Sequence, residues 1–334
     1  MAPFNPKKRY LLLKVEGTPG TMETSMASGT SNIECYDITF DDNLQRIEDK
    51  FASGGYTHNP DIVGEMMGAI TFKHNVTLNY TLLGSLPCAP LLKAGGMSES
   101  SGPVYAEDPA IDTTSLTLTA WFVYPSQGDG YKIVAKMKGC MNDWKMTVKN
   151  GQQAVLECKL MGAVVSWQAE LDADVPLFTA PVVGTDTTLP PVWRGGMAVP
   201  TMGGNPVRFA EFSLNSPIAI VPIPDPADPT GIFRYVVDDR KPQLQVKVES
   251  QLVSNAEPIL VDYMAPTGMV VTFTSGEVAI TGGEHAWIQF NAPQAVVKKP
   301  KGNDAAPLTW DTPLDLITQN PATPRYSFTI LNDD

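Results

Sequence analysis

Met146-Thr-Val-Lys-Asn-Gly-Gln-Gln-Ala-Val-Leu-Glu-Cys-Lys-Leu160 decides the fold class. Apolar and polar residues alternate on both sides of Lys149-Asn-Gly151, which is the period of a half-buried strand. Asn-Gly supplies the positive φ angles of a tight turn, so the stretch reads as an antiparallel hairpin. The same alternation occurs upstream over Cys35–Phe40, Ala69–Leu78, Ser115–Val123 and Tyr131–Met137. It resumes downstream over Val207–Leu214, Gln243–Glu249, Met269–Thr274, His285–Phe290 and Tyr326–Ile330. Gln127-Gly-Asp-Gly130 separates two such runs and marks a second hairpin. The 27 glycines and 29 prolines leave little room for long helices. The chain is therefore expected to be mainly β.

Two short helices are expected within this pattern. Leu86-Pro-Cys-Ala-Pro-Leu-Leu-Lys-Ala-Gly-Gly96 has prolines near its first turn and glycine past its end, the usual asymmetry of a helix. Pro258–Ala265 is the second. Residues 169–205 lose the alternation and become rich in proline and glycine, as a connecting bridge would. The chain therefore divides into 1–168, the bridge at 169–205, and 206–334. Both halves share one order of elements: a strand, a long connection, an alternating strand, a short helix, then a strand and hairpin pair. That shared order reads as a duplicated unit.

The long connections, Asp41 to Met67 and Asn215 to Arg240, exceed ordinary loops and mix apolar residues with charges. They read as arms that pack on a neighbouring subunit. Leu44, Arg46, Ile47, Phe51 and Tyr56 are the candidate contacts on the first, and Ile220, Ile223, Phe233 and Tyr235 on the second. Lys132, Lys136, Lys138 and Lys145 lie across one hairpin. They read as a solvated edge or as a face for a partner's acidic surface.

The net charge of −12 argues against a nucleic-acid groove. With 43% hydrophobic and 18% charged residues the chain can bury a core. The basic start at Lys7-Lys8-Arg9 leads into an apolar run, but Lys14 and Glu16 end it too soon for a secretory signal. No run approaches a membrane span, so a soluble product of the cytoplasm is expected. The four cysteines are isolated, without zinc or redox spacing, and are expected to be reduced and buried. His58, His74 and His285 read as solvated or structural. Nucleophile-elbow, phosphate-loop, zinc-helix and dinucleotide motifs are not found. Neither an enzyme nor a cofactor or metal is expected. The six tryptophans are dispersed, which suits core or interface anchors better than a sugar platform.

The residues also carry a resemblance. Leu11-Leu-Leu-Lys-Val-Glu-Gly-Thr-Pro-Gly-Thr21 resembles the opening of tail tube (major tail) proteins of long-tailed bacteriophages with non-contractile, siphophage-type tails. Tyr36–Phe40, the long segment Asp41–Gly64, the strand Ala69–Leu78 and Ala89-Pro-Leu-Leu-Lys-Ala-Gly-Gly96 are similar to the successive elements of that family. The hairpin from Gly130 to Met146 is similar too, with Lys138-Gly139 where the family often has Arg-Gly.

The resemblance implies two tandem β-sandwich or half-barrel units, each with a flanking helix. Their sheets would join between subunits into a continuous barrel, and the rings would stack into a tube through which DNA is ejected into the host. Six units per ring make a duplicated chain a trimer, with a hexamer as the alternative. The implied partners are further copies of the chain, the tape measure protein and the tail tip and terminator proteins, with DNA passing unbound and no membrane. The implied location is the virion tail, assembled in the host cytoplasm. An acidic lumen would repel passing DNA. Alternative readings are a tail terminator or head decoration protein, or a carbohydrate-binding β-sandwich.

Overall fold

The computed structural model describes residues 9–27, 32–47, 62–79, 86–100, 104–108, 116–125, 130–177, 188–189, 191–193, 200–216, 218–249, 258–264, 266–279, 285–303, 309–318 and 323–332. Among these, 66% are in strands and 6% in helices, and the sheets are large and antiparallel. The first half contains β1 (Tyr10–Val15), β2 (Asn32–Ile33), β3 (Tyr36–Ile47), β4 (Ile62–Asn75), β5 (Leu78–Asn79), α1 (Ala89–Ala94), β6 (Met97–Ser100), β7 (Val104–Glu107), β8 (Leu118–Pro125), β9 (Tyr131–Lys149) and β10 (Val155–Leu171). A short 3-10 turn over Asp172–Asp174, then β11 (Thr188–Leu189), β12 (Thr201–Met202) and β13 (Asn205–Pro206) lead into the second half. That half contains β14 (Phe209–Ser216), β15 (Ile218–Pro224), β16 (Ile232–Arg240), β17 (Gln243–Glu249), α2 (Pro258–Met264), β18 (Met269–Thr274), β19 (Val278–Ala279), β20 (His285–Val297), β21 (Lys301–Asn303), β22 (Thr309–Leu316) and β23 (Ser327–Asn332).

The hairpin expected around Asn150-Gly151 is the centre of the sheet. β9 and β10 pair along almost their whole length around that turn, where Gly151 has φ +78°. On its other edge β9 changes partner. Tyr131's half pairs with β8, which continues to β1 and β2. Its second half, from Trp144 to Lys149, pairs with β14. The exchange happens at Lys138-Gly139-Cys140, where β9 carries one residue more than either neighbour. Gly139 takes φ +60° there, so the Lys138-Gly139 step is a bulge inside one 19-residue strand rather than a turn.

Strands of the two halves pair directly, at β9 with β14 and at β7 with β23. One uninterrupted run results, in the order β3-β4-β10-β9-β14-β17-β22-β21. The hydrophobic core crosses the same division, as a single cluster from Leu11 through Trp144 and Phe212 to Ile330. Phe212 stacks on Phe273 with centroids 4.5 Å apart and meets Phe290 at 5.8 Å. Such pairs add about 1 kcal/mol each beyond the area they bury.

Helix α1 forms where the Pro/Gly asymmetry predicts it, with Leu91 and Leu92 inward. It is pinned to β9 because Asn142 donates to the Leu91 carbonyl (3.1 Å) and the Trp144 indole to the Gly95 carbonyl (3.2 Å). The bridge expected at 169–205 starts later than the composition suggests, since β10 runs on to Leu171. Trp193 within it is fully buried against Phe212. Both long connections are also more regular than expected. In the first, the described residues 41–47 and 62–67 are strand, the continuation of β3 and β4, which carries Leu44, Arg46 and Ile47. Phe51 and Tyr56 lie outside the described residues. The second is the hairpin β15–β16.

Candidate functional site

Along the run from β3 to β21 the inward side chains are mostly apolar, and the outward face carries rows in which facing charges alternate in sign. Val148, Phe212, Val246 and Thr312 form one inward row. One residue further along each strand, Lys149 faces Glu211, Glu211 faces Lys247, Lys247 faces Asp311, and Asp311 faces Lys301. Nearer β3, Lys73 faces Glu157 and Glu157 faces Lys145, while Lys159 faces Asp143. Opposite charges in directly facing positions contribute about 0.2–1 kcal/mol each. This face is mixed in sign and not uniformly acidic.

A cleft of about 360 Å³ opens on it, lined by Asp37, Thr71, Lys73, Asp143, Lys145, Glu157, Lys159 and Asn215. Lys73 pairs with Asp37 at 3.1 Å, and that hydrogen bond pushes the ammonium pKa up. Burial pushes the Asp143 carboxyl up, offset by a hydrogen bond from the Ile218 backbone and by Lys159.

Beyond the cleft the β15–β16 hairpin folds back over its own sheet. Ile218, Ile232, Tyr235 and Val237 pack on Met141 of β9 and Ala163 of β10, with Met67 and Ile220 at the margin. Its tip is held in three ways: Lys138 pairs with Asp228, the Met66 N–H donates to the Thr230 carbonyl (3.1 Å), and Asp228 accepts from Thr230 (2.9 Å from the N–H, 2.7 Å from the hydroxyl). Of the proposed arm residues, Tyr235 is therefore spent on its own chain, at 1% exposed, whereas Phe233 keeps 37% of its surface. Ile220 and Ile223 are half-buried.

The four lysines expected across one hairpin lie on a single strand, β9, and three of them are engaged within the chain. Lys132 is buried and donates to the carbonyls of Val175 (2.7 Å) and Asp172 (3.3 Å), and burial pushes its pKa down. Lys136 pairs with Glu170 at 2.7 Å and lies 4.1 Å from the centre of a Trp121 ring. Lys138 holds Asp228. Lys145 alone of the four is exposed, in the cleft. The first three sit beside chain segments that the hairpin meets only in the folded state.

Two ionic centres escaped the sequence reading. Glu16, at 5% exposed, accepts four hydrogen bonds: from the Gly20 N–H (2.7 Å) and the Thr117 hydroxyl (2.6 Å) on one oxygen, and from the Gly139 N–H (2.7 Å) and the Thr119 hydroxyl (3.1 Å) on the other. It ties the Gly17–Gly20 turn, β8 and the β9 bulge together. A Cβ on Gly20 would stand 2.5 Å from the Phe233 carbonyl oxygen, so the arm is seated directly on this knot. The signal was present, a carboxylate ending an apolar strand just before Gly-Thr-Pro-Gly, but its partners are about 100 residues away. In the second centre Glu107 of β7 meets Arg325 (Nε 2.9 Å) and Arg240 (3.3 Å), and Arg240 also donates to the Gly96 carbonyl (2.8 Å). It locks β7, β16 and the approach to β23 into one junction between the halves.

Among the described residues no group of three or more His, Cys, Asp or Glu is arranged to hold a metal ion. No described helix is long and apolar enough to cross a membrane. No protein-family model and no curated protein matches the sequence.

Proposed function

We propose that this chain is a structural virion protein that polymerises as stacked rings into the tail tube of a long-tailed, siphophage-type bacteriophage, forming the conduit for DNA ejection. The observation that carries the reading is the uninterrupted antiparallel run from β3 to β21, whose two terminal strands each pair on one side only among the described residues. A sheet with two open edges is a substrate for closure with further copies, and ring closure removes the edges that otherwise aggregate.

The duplicated-unit reading has support in the sheet order. In the first half the run sets two antiparallel partners beside a later strand pair that is entered by its second strand: β3-β4-β10-β9. In the second half β14-β17-β22-β21 has the same arrangement, with β15 and β16 inserted between β14 and β17 and β23 following β22. A chain with two such units closes as a trimeric ring with pseudo-sixfold symmetry. The resemblance adds the tape measure, tail tip and terminator proteins as partners, and the virion as location.

Electron microscopy of the purified full-length protein tests this. Rings or hollow tubes are expected, with threefold class averages. Dispersed monomers at every concentration would refute the reading, and a true sixfold average would refute the duplication.

A further inference from the structure

We propose that the joint between copies is made by β21 of one chain pairing antiparallel with β3 of the next, guided by the charges on the two edges; this rests on the ring-forming function proposed above. Such a joint already exists once inside the chain. The repeated sheet order makes the β9–β14 pairing a joint between the last position of one four-strand set and the first position of the next set. Its charges are basic on the leaving strand and acidic on the entering one, with Lys149 facing Glu211. The strands left open at the ends of the run occupy the same two positions, β21 as the leaving edge and β3 as the entering edge.

Their charges have the same polarity. Lys301 on β21 and Lys299 two residues before it are both exposed, and Lys301 ends the Lys-Glu-Lys-Asp-Lys ladder so that the next facing residue should be an acid. The β3 edge carries Asp41 and Asp42, both exposed, beside Asp37, which is exposed and paired with Lys73 of β4. Within a chain of net charge −12, a basic edge at one end of the sheet and an acidic edge at the other discriminate strongly. Head-to-tail joining sets opposite charges together, while β3 against β3 or β21 against β21 sets like charges together. A contact between two different surfaces of the same chain propagates with one sense and closes as a ring when its rotation permits.

Four full-length proteins test the joint: wild type, Lys299→Glu/Lys301→Glu, Asp41→Lys/Asp42→Lys, and the chain carrying all four substitutions. Sedimentation and electron microscopy give the concentration at which rings form. Reversing either edge alone is expected to raise that concentration about tenfold. Reversing both restores opposite charges and is expected to return it to within about threefold of wild type, an outcome that a folding defect could not produce. In the assembled wild-type background, Asp41→Cys/Lys301→Cys is expected to yield a disulfide-linked chain ladder. Rings that form equally well with one edge reversed, or the absence of a ladder from assembled rings, would overturn this joint and leave the tube reading standing. A wild-type chain that never assembles would overturn both.

Discussion

Glu16→Gln offers the sharpest test of how the arm and the sheet are held together. The carboxylate accepts from two backbone N–H groups and two threonine hydroxyls, all buried. An amide keeps one accepting oxygen but turns an NH2 group toward either the Gly20 or the Gly139 N–H. Donor then faces donor. The threonine hydroxyls can rotate to accept from the new amide, so the loss reduces to one orphaned backbone N–H and the change from a charged to a neutral acceptor. An unsatisfied buried donor costs about 1–3 kcal/mol, and a hydrogen bond to a charged group exceeds a neutral one by about 1 kcal/mol. The sum is about 2–4 kcal/mol. At roughly 2 °C per kcal/mol for a chain of this size, the thermal midpoint should fall by about 4–8 °C in differential scanning calorimetry. Limited proteolysis should also begin at the β15–β16 tip, because Gly20 and Gly139 support Phe233 and Arg234. A midpoint within about 1 °C of wild type would refute the claim that this carboxylate organises the knot.

Tyr235→Ala removes the largest side chain that seats the arm on Met141 and Ala163, and large-to-small changes of this kind cost about 3–5 kcal/mol. Faster amide exchange confined to β15–β16 and to Met66 is the expected signature, and unchanged exchange there would count against the seating. Burial holds the His74 pKa below its ordinary 6.5, so the unfolded chain binds a proton there that the folded chain does not. Stability therefore falls as pH drops from about 6.5 toward the lower folded value. His74→Gln should lose less stability than wild type between about pH 7 and pH 5 in urea titrations. Cys35 and Cys88 are pushed up to about 12 by burial, with Cys140 and Cys158 also raised. Cys35 is half-buried and the other three thiols are buried, so the native protein should react with a thiol reagent at pH 8 far more slowly than the denatured chain, and rapid native reaction of more than one thiol would refute the burial of the other three.

Local chemistry decided a good deal of this protein in advance. Period-two alternation and Asn150-Gly151 dictated the β9–β10 hairpin, because strand pleat and turn dihedrals are properties of adjacent residues. Pro90 and Gly95 bounded α1 for the same reason. Sequence patterns misled where the deciding neighbour is distant. Lys132 and Lys138 looked like solvent-facing edge residues, yet the Val175 carbonyl and Asp228 draw them inward across about 40 and 90 residues. The Asn215–Arg240 segment carried no hairpin signal strong enough to exclude a loop. Its pairing is completed by the apolar face that β9 and β10 offer beneath it.

Strand existence, then, was fixed by nearest neighbours in sequence, and strand partnership by the packing of the whole chain. No alternation in β9 could announce that it would pair with β8 along one half and with β14 along the other. That exchange needs the Gly139 bulge, the Glu16 carboxylate that clasps it, and a core continuous from Leu11 to Ile330. The charged ladder is likewise written as isolated residues, Lys149, Glu211, Lys247, Asp311 and Lys301, and acquires its alternating sign only when register brings them face to face.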